Sequence, residues 1–337
     1  MKKVLAIGEI LLRLTPTSNL KICNASSFDF CFGGAEANVA VGLSNLGLDT
    51  IMMTCLPDND LGKLVKTFLR GNDVDCKYII SKGDRLGLYY YEEGISARKA
   101  KVIYDRKHSS INELRYEDIN IGELLDEVEL IHISGISLAL SKELNNTLTK
   151  IIDEAKKRNI KISVDLNYRS SLWRSYEDFV KTIKPIVKDS YICFGWLNKD
   201  TSNFKVFDAA TDTVNNDSLI EQFKYMTEEL NVKNVVTTLR SGNAYNYHIL
   251  SGVLFDGKKI YKASNYEFSM VSRIGGGDAF AAGVIKGFIK NETPEKIIEF
   301  ATATAVLKQT QIGDVSMSTE KDVLDLIENK NLGSVNR

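Results

Sequence analysis

Gly275-Gly276-Gly277-Asp278-Ala279-Phe280-Ala281-Ala282-Gly283 sets three glycines before an aspartate and continues into small and apolar residues. The stretch reads as a turn that feeds the start of a helix. Glycines leave backbone N–H groups unobstructed and a helix N-terminus carries partial positive charge, so such a turn suits an anion, including a phosphoryl group in transfer. Asp278 then stands where a hydroxyl would lose its proton. Taken alone, the stretch also reads as an ordinary strand-to-helix turn in which Asp278 stabilises the first helical turn.

A second signature lies far upstream, Gly33-Gly34-Ala35-Glu36-Ala37-Asn38-Val39-Ala40, followed by Val41-Gly42-Leu43-Ser44-Asn45-Leu46-Gly47. Here too a glycine pair opens a helix. Gly33 and Gly34 permit close approach of a ligand to the backbone, and Asn38, one turn in, reaches the same side. In type and order the two signatures resemble the ribokinase-like (PfkB) carbohydrate kinases, in which the first contacts sugar and the second carries base and anion hole. Within that family the chain is most similar to 2-keto-3-deoxygluconate kinases. Gly8-Glu9, Val102-Ile103-Tyr104-Asp105-Arg106-Lys107, Asp165-Leu166-Asn167-Tyr168-Arg169 with Trp173, and Phe300-Ala301-Thr302-Ala303-Thr304-Ala305 carry the likeness over nearly the whole chain.

Working outward, short apolar runs alternate with amphipathic segments: 4–7 then 34–47, 50–55 then 60–71, 130–134 then 141–158, with further runs at 160–164, 191–194 and 234–238. This alternation predicts an α/β fold with a mainly parallel central sheet flanked by helices, and ligands beyond the carboxyl ends of its strands. In 141–158 Leu144, Leu148, Ile151, Ile152 and Ala155 fall at helical spacing behind Ser141, which marks scaffold. Segments 11–32 and 86–107 break the pattern with aromatic and β-branched residues. They read as extra strands, and the resemblance makes them a small β lid on a discontinuous core of 1–10, 33–85 and 108–330. The family's lid closes over sugar and pairs with a second subunit, which implies a homodimer.

Composition narrows the partners. The 43 basic and 44 acidic residues nearly cancel and are interspersed, which argues against a nucleic-acid or membrane surface and for a small-molecule partner. Five cysteines, Cys23, Cys31, Cys55, Cys76 and Cys193, are odd in number, widely spaced and free of any Cys-x-x-Cys pair; a reducing cytoplasm is the expected setting. The opening 1–7 has the charge and apolarity of a leader, but Gly8, Glu9 and Arg13 interrupt it, and it reads as a buried strand. His108, His132 and His248 are isolated, so no histidine metal site is expected, and His132 reads as structural. There is no Gly-x-x-x-x-Gly-Lys-Ser/Thr loop and no first-strand Gly-x-Gly-x-x-Gly, which argues against a P-loop or nicotinamide enzyme.

The resemblance assigns roles residue by residue. Asp278 is the general base, and the amides of Gly275, Gly276 and Gly277 form the anion hole. Gly33, Gly34, Asn38, Tyr89, Tyr104, Arg106, Asn167 and Arg169 would hold the sugar acid; Arg106 or Arg169 offers a planar fork for its carboxylate. Against that, Tyr89-Tyr90-Tyr91 also suits a plain β edge, and a lone arginine suits a solvated surface. Thr238, Arg240 and Gly242, with Gly275 and Gly277, would meet ATP phosphates, and 301–313, including Ala305 and Lys308, the adenine. The Ala/Thr face of 301–305 equally suits close helix packing. ATP with Mg²⁺ is the implied donor, the metal held largely by phosphates and water.

Two departures bear on the metal. Where the family carries Asn-x-x-Glu after the 191–194 strand, this chain has Gly195-Trp196-Leu197-Asn198-Lys199-Asp200, so that Trp196 and Lys199 replace Asn and Glu, or a small shift recruits Asn198 or Asp200. Ser272 stands where the family has Asp before the glycine turn. Both changes remove negative charge and weaken the expected Mg²⁺ dependence while leaving base and anion hole in place. The leading reading is an ATP-dependent kinase for 2-keto-3-deoxygluconate. Its competitors are a fructokinase or other neutral-sugar kinase, and a catalytically weak sugar or nucleotide sensor.

Overall fold

The computed structural model describes residues 2–95, 97–199, 216–242 and 247–329. Asp200 lies outside the described residues. The first apolar run forms the strand Lys3–Ile7, with Val4, Leu5, Ala6 and Ile7 buried in the interior of the main sheet. It pairs in parallel with Thr50–Met53 on one side and Val128–Ser134 on the other. Lys161–Asp165, Ile192–Phe194 and Asn234–Gly242 continue in parallel, and Tyr247–Phe255, Ile260–Lys262 and Tyr266–Ser269 complete the sheet antiparallel. Among the described residues this makes nine strands, the expected mainly parallel layer. Register aligns Asp165 with both Ser134 and Phe194, so the carboxyl ends of neighbouring strands finish at one level, where ligands collect in open α/β sheets.

A separate four-stranded sheet runs in the order Phe28–Gly33, Leu11–Pro16, Gly87–Glu92, Lys101–Asp105. Its register sets Cys31 and Tyr89 on either side of Arg13, and Tyr104 beyond Tyr89, so the four stand in one row across the sheet. The expected run at 50–55 is split: Cys55–Leu56 leaves the main sheet to pair with Ile80–Ser81.

Small residues set the helix packing. Helix Ala35–Asn45 lies against helix Gly276–Ile289, and a methyl added to Gly42 would come 3.1 Å from the Ala282 methyl. Gly283 backs on helix Pro294–Gln309 so closely that its own methyl would lie 2.6 Å from Ala301 Cα. The alternation of Ala and Thr at 301–305 therefore serves this contact; all five residues are buried. The scaffold helix Lys142–Lys157 is capped by Ser141, whose Oγ accepts from the Leu144 amide at 3.2 Å. Its Leu144, Leu148, Ile151 and Ile152 are buried, each worth about 1.5–3 kcal/mol of burial. His132 is buried too, with Nδ1 3.0 Å from Ser163 Oγ, and desolvation lowers its pKa to about 3, so it stays neutral. Among the described residues no helix is long and apolar enough to cross a membrane.

Candidate active site

Both glycine signatures open at the carboxyl ends of the strands, on the wall of one cavity of about 710 Å³. Gly275 caps the helix Gly276–Ile289 in the left-handed region at φ 81°, and a methyl there would strike the Asp314 carbonyl oxygen at 1.8 Å. Only glycine fits. The first amides of a helix have no intrahelical acceptor, so that of Gly277, which lines the cavity, is available to a ligand. Gly275, Gly277 and Asp278 line the cavity; Gly276 is buried against Gln309.

Asn38 comes to the same point from the other helix. Its Oδ1 accepts from the Gly34 amide at 3.3 Å, which turns its Nδ2 to donate to Asp278 Oδ2 at 2.6 Å. Burial raises the Asp278 pKa to about 7, the Asn38 donor pulls it down, and the carboxylates of Asp165, Asp314 and Glu36 push it up. A carboxylate poised near neutrality is what a general base needs.

The surroundings hold acids that motif reading left without roles. Glu36 is buried and accepts from the Ser134 amide, Ser134 Oγ and Ser137 Oγ at 3.0, 2.8 and 2.7 Å. Asp165 accepts from the Asn167 amide at 3.0 Å and from its Nδ2 at 3.3 Å; burial raises its pKa to about 6 against the pull of Arg169. Asp314, in the loop after Pro294–Gln309, accepts from Arg13 Nη1 and from the Tyr89 hydroxyl, so two strands of the small sheet are tied to the core. Sequence reading ended the adenine segment at Gly313, one residue short of it.

Of the expected sugar contacts, Gly34, Asn38, Tyr89, Tyr104, Arg106, Asn167 and Arg169 line the cavity. Gly33 is buried beside them, where a methyl would meet Asp314 Oδ2 at 1.9 Å. Arg106 is not a free fork: its Nε donates to Glu9 Oε2 at 2.7 Å and its Nη2 to the same oxygen, while Ser109 Oγ donates to Glu9 Oε1. Arg169 is exposed, donates to the Tyr168 carbonyl at 3.3 Å, and forms no ion pair among the described residues. Tyr104 is also exposed, its ring 5.8 Å from that of Tyr89.

Of the expected nucleotide contacts, Thr238 lines the cavity, while Arg240 and Gly242 continue its strand beyond the wall. Arg273, which motif reading passed over, is in the wall; its charge adds to burial in lowering the Arg240 pKa. Ala305 and Lys308 do not line the cavity, because both face the packed interior of their helix. Trp196 and Asn198 line it, and the Asn198 amide donates to the Tyr176 hydroxyl at 3.0 Å. Lys199 does not, pairing instead with Glu229 at 2.5 Å. Ser272 is buried with its hydroxyl unpartnered. Among the described residues no three His, Cys, Asp or Glu side chains group as a metal cage.

A buried carboxylate beside a glycine turn, at the mouth of a mainly parallel sheet, suits a small-molecule phosphotransferase. The model of the pfkB family carbohydrate kinases matches residues 1–321, and the chain belongs to that family of sugar kinases. It is 30% identical over 323 residues to a 2-dehydro-3-deoxygalactonokinase of Haloferax volcanii, covering 95% of each chain. Among solved structures, a 2-dehydro-3-deoxygluconokinase from Thermotoga maritima superposes with a TM-score of 0.89 at 34% identity, covering 97% of this chain and 99% of that one. A PfkB family carbohydrate kinase from Listeria grayi gives a TM-score of 0.87 at 33% identity, over 97% and 99%. The fold is ribokinase-like, and the protein is a phosphotransferase with a sugar hydroxyl as acceptor, related to the 2-keto-3-deoxy sugar kinases.

Proposed function

We propose that the protein transfers the γ-phosphoryl group of ATP to a hydroxyl of a 2-keto-3-deoxy sugar acid, 2-keto-3-deoxygluconate first among them, with Asp278 as general base. The observation that carries this reading is the 2.6 Å hydrogen bond from Asn38 to Asp278, which joins the sugar-side signature to the base at the glycine turn. Asp278 takes the proton of the attacking hydroxyl, the new bond forms from that oxygen to the γ-phosphorus, and the bond to ADP breaks. The amides of the Gly275 turn bear the charge that builds on the transferred group.

For the sugar acid, Arg169 supplies a guanidinium at the wall that has no ion pair among the described residues, and Arg106, steadied by Glu9, also lines it, over Tyr104 at 5.4 Å from the ring centre. Arg273 and Thr238 lie on the side left for nucleotide phosphates. Mg²⁺ carried with ATP would neutralise phosphate charge. Hard oxygen donors fit it: Asp165 and Asn198 line the cavity, and the cation of Lys199 is turned away onto Glu229. The small sheet acts as a lid over the sugar, excluding water. Phe30, Val102 and Ile103, exposed on it by 58%, 38% and 39%, support a homodimer through this sheet, and five free thiols support a cytoplasmic setting.

The test is ADP release by purified protein with ATP, Mg²⁺ and a panel of 2-keto-3-deoxygluconate, 2-keto-3-deoxygalactonate, fructose and ribose, with Asp278→Ala alongside. Turnover with a keto-deoxy acid, lost in the variant, is the expected result. Turnover with fructose or ribose alone makes it a neutral-sugar kinase. Ligand binding without product under Mg²⁺ or Mn²⁺ makes it a sensor.

A further inference from the structure

Lys308 sits in the last turn of Pro294–Gln309 with no exposed surface, and it lies behind the glycine turn, outside the cavity lining. Its Nζ donates to the main-chain carbonyls of Gly313 at 2.9 Å and Gln311 at 3.3 Å. A methyl built on Gly275 would lie 3.1 Å from Lys308 Cε, so the lysine stem backs directly on the residue that starts the anion hole. The titratable and charged groups that face it are Asp314 from the following loop, Arg13 and the Cys31 thiol from the small sheet, and Asp278 from the helix Gly276–Ile289. None pairs with it: Asp314 is held by Arg13 and Tyr89, and Lys308 has no ion pair among the described residues.

An ammonium buried on two carbonyls, outside ion-pair distance of any carboxylate among the described residues, is costly, and an apolar chain of the same length would avoid that cost. The charge does have a use on the far side of Gly275, where negative charge builds during transfer. Burial lowers its pKa to about 8, so it remains mostly protonated at neutral pH. We propose that Lys308 is a positioning residue for phosphoryl transfer: it pins the 311–314 loop on which the Gly275 turn rests, and it sets a fixed positive charge behind the anion hole. This rests on the kinase reading above.

The experiment compares wild type, Lys308→Met and Lys308→Ala on whichever sugar the wild type phosphorylates. An inactive wild type rejects the kinase reading, whereas a fully active Lys308→Met rejects only the role of the lysine. Lys308→Met is expected to fold, by its thermal transition, and to lose about 10²-fold in kcat, the loss typical of one anion-hole donor. KM for ATP and sugar should stay within about threefold, because the charge acts on the transition state. Lys308→Ala leaves a space beside two carbonyls, and ammonium or methylammonium chloride should restore its kcat where equal sodium chloride or neutral formamide does not. The proposal is overturned by a Lys308→Met kcat within about twofold of wild type, by a loss confined to KM, or by rescue with formamide. If Lys308→Met does not fold, rescue of Lys308→Ala decides; if neither folds, the lysine only holds the structure and the proposal is overturned.

Discussion

Asn38 and Asp278, 240 residues apart, share a hydrogen bond of 2.6 Å from Nδ2 to Oδ2, the one direct side-chain link found between the two glycine signatures among the described residues. The donor favours the ionised carboxylate and so opposes the burial that raises it. Removing it moves the base in a known direction. Asn38→Ala should shift the acid limb of the kcat profile to higher pH by about one unit and lower kcat at pH 7 by about fivefold. A pH series from 5 to about 9 checks this, and an unmoved limb refutes it.

Asp278→Asn should abolish turnover, by about 10²–10⁴-fold, while strengthening the fold. The sign follows from linkage. With a folded pKa of about 7 against an ordinary 3.8, the folded state holds the proton more tightly than the unfolded chain. There is no penalty below 3.8; it accumulates as pH rises toward 7 and is constant above. Thermal unfolding of the variant against wild type should show little difference at pH 4 and a gain on the order of 2 kcal/mol at pH 8.

The two arginines should separate by phenotype. Arg169→Ala, at an exposed guanidinium with no ion pair among the described residues, should raise KM for acid substrates about 10–100-fold with stability unchanged. Arg106→Ala leaves Glu9 buried without its cation and should cost about 3–5 kcal/mol as well as affinity. Denaturant midpoints and acid-versus-neutral substrate kinetics distinguish them.

Phe30→Asp with Ile103→Asp should yield a monomer by sedimentation if the small sheet is the dimer contact. Sugar KM should rise with it, as a lid without its partner closes less firmly. An unchanged sedimentation coefficient would place the contact elsewhere.

Much of this was legible from the residues because the decisive signals are local. A glycine pair before a helix, an aspartate after three glycines and the alternation of strand and helix patterns each occupy a few consecutive positions. What escaped is what the fold assembles from a distance. Asp314 lies one residue past the segment read as the adenine side, and its partners Arg13 and Tyr89 lie 301 and 225 residues away. Arg106 looked like a free fork because Glu9, which occupies it, is 97 residues upstream. Lys308 reads as part of the adenine segment, and its burial away from the cavity comes from tertiary packing that periodicity does not report. The Ala/Thr face of 301–305 admitted two readings, and the approach of Gly283 chose helix packing.

The seam where Gly42 meets Ala282 acts as a gauge for the distance between the two halves of the chemistry, since Asn38 rides on one helix and Asp278 on the other. Glycine to alanine inside a helix is a routine stabilising change, worth up to about 1 kcal/mol through helix propensity and chain entropy. Here the new methyl would arrive 3.1 Å from its neighbour and push the helices apart by a few tenths of an ångström. A stabilisation campaign guided by propensity alone would select that change, and would lengthen the contact between the Asn38 amide and the Asp278 carboxylate.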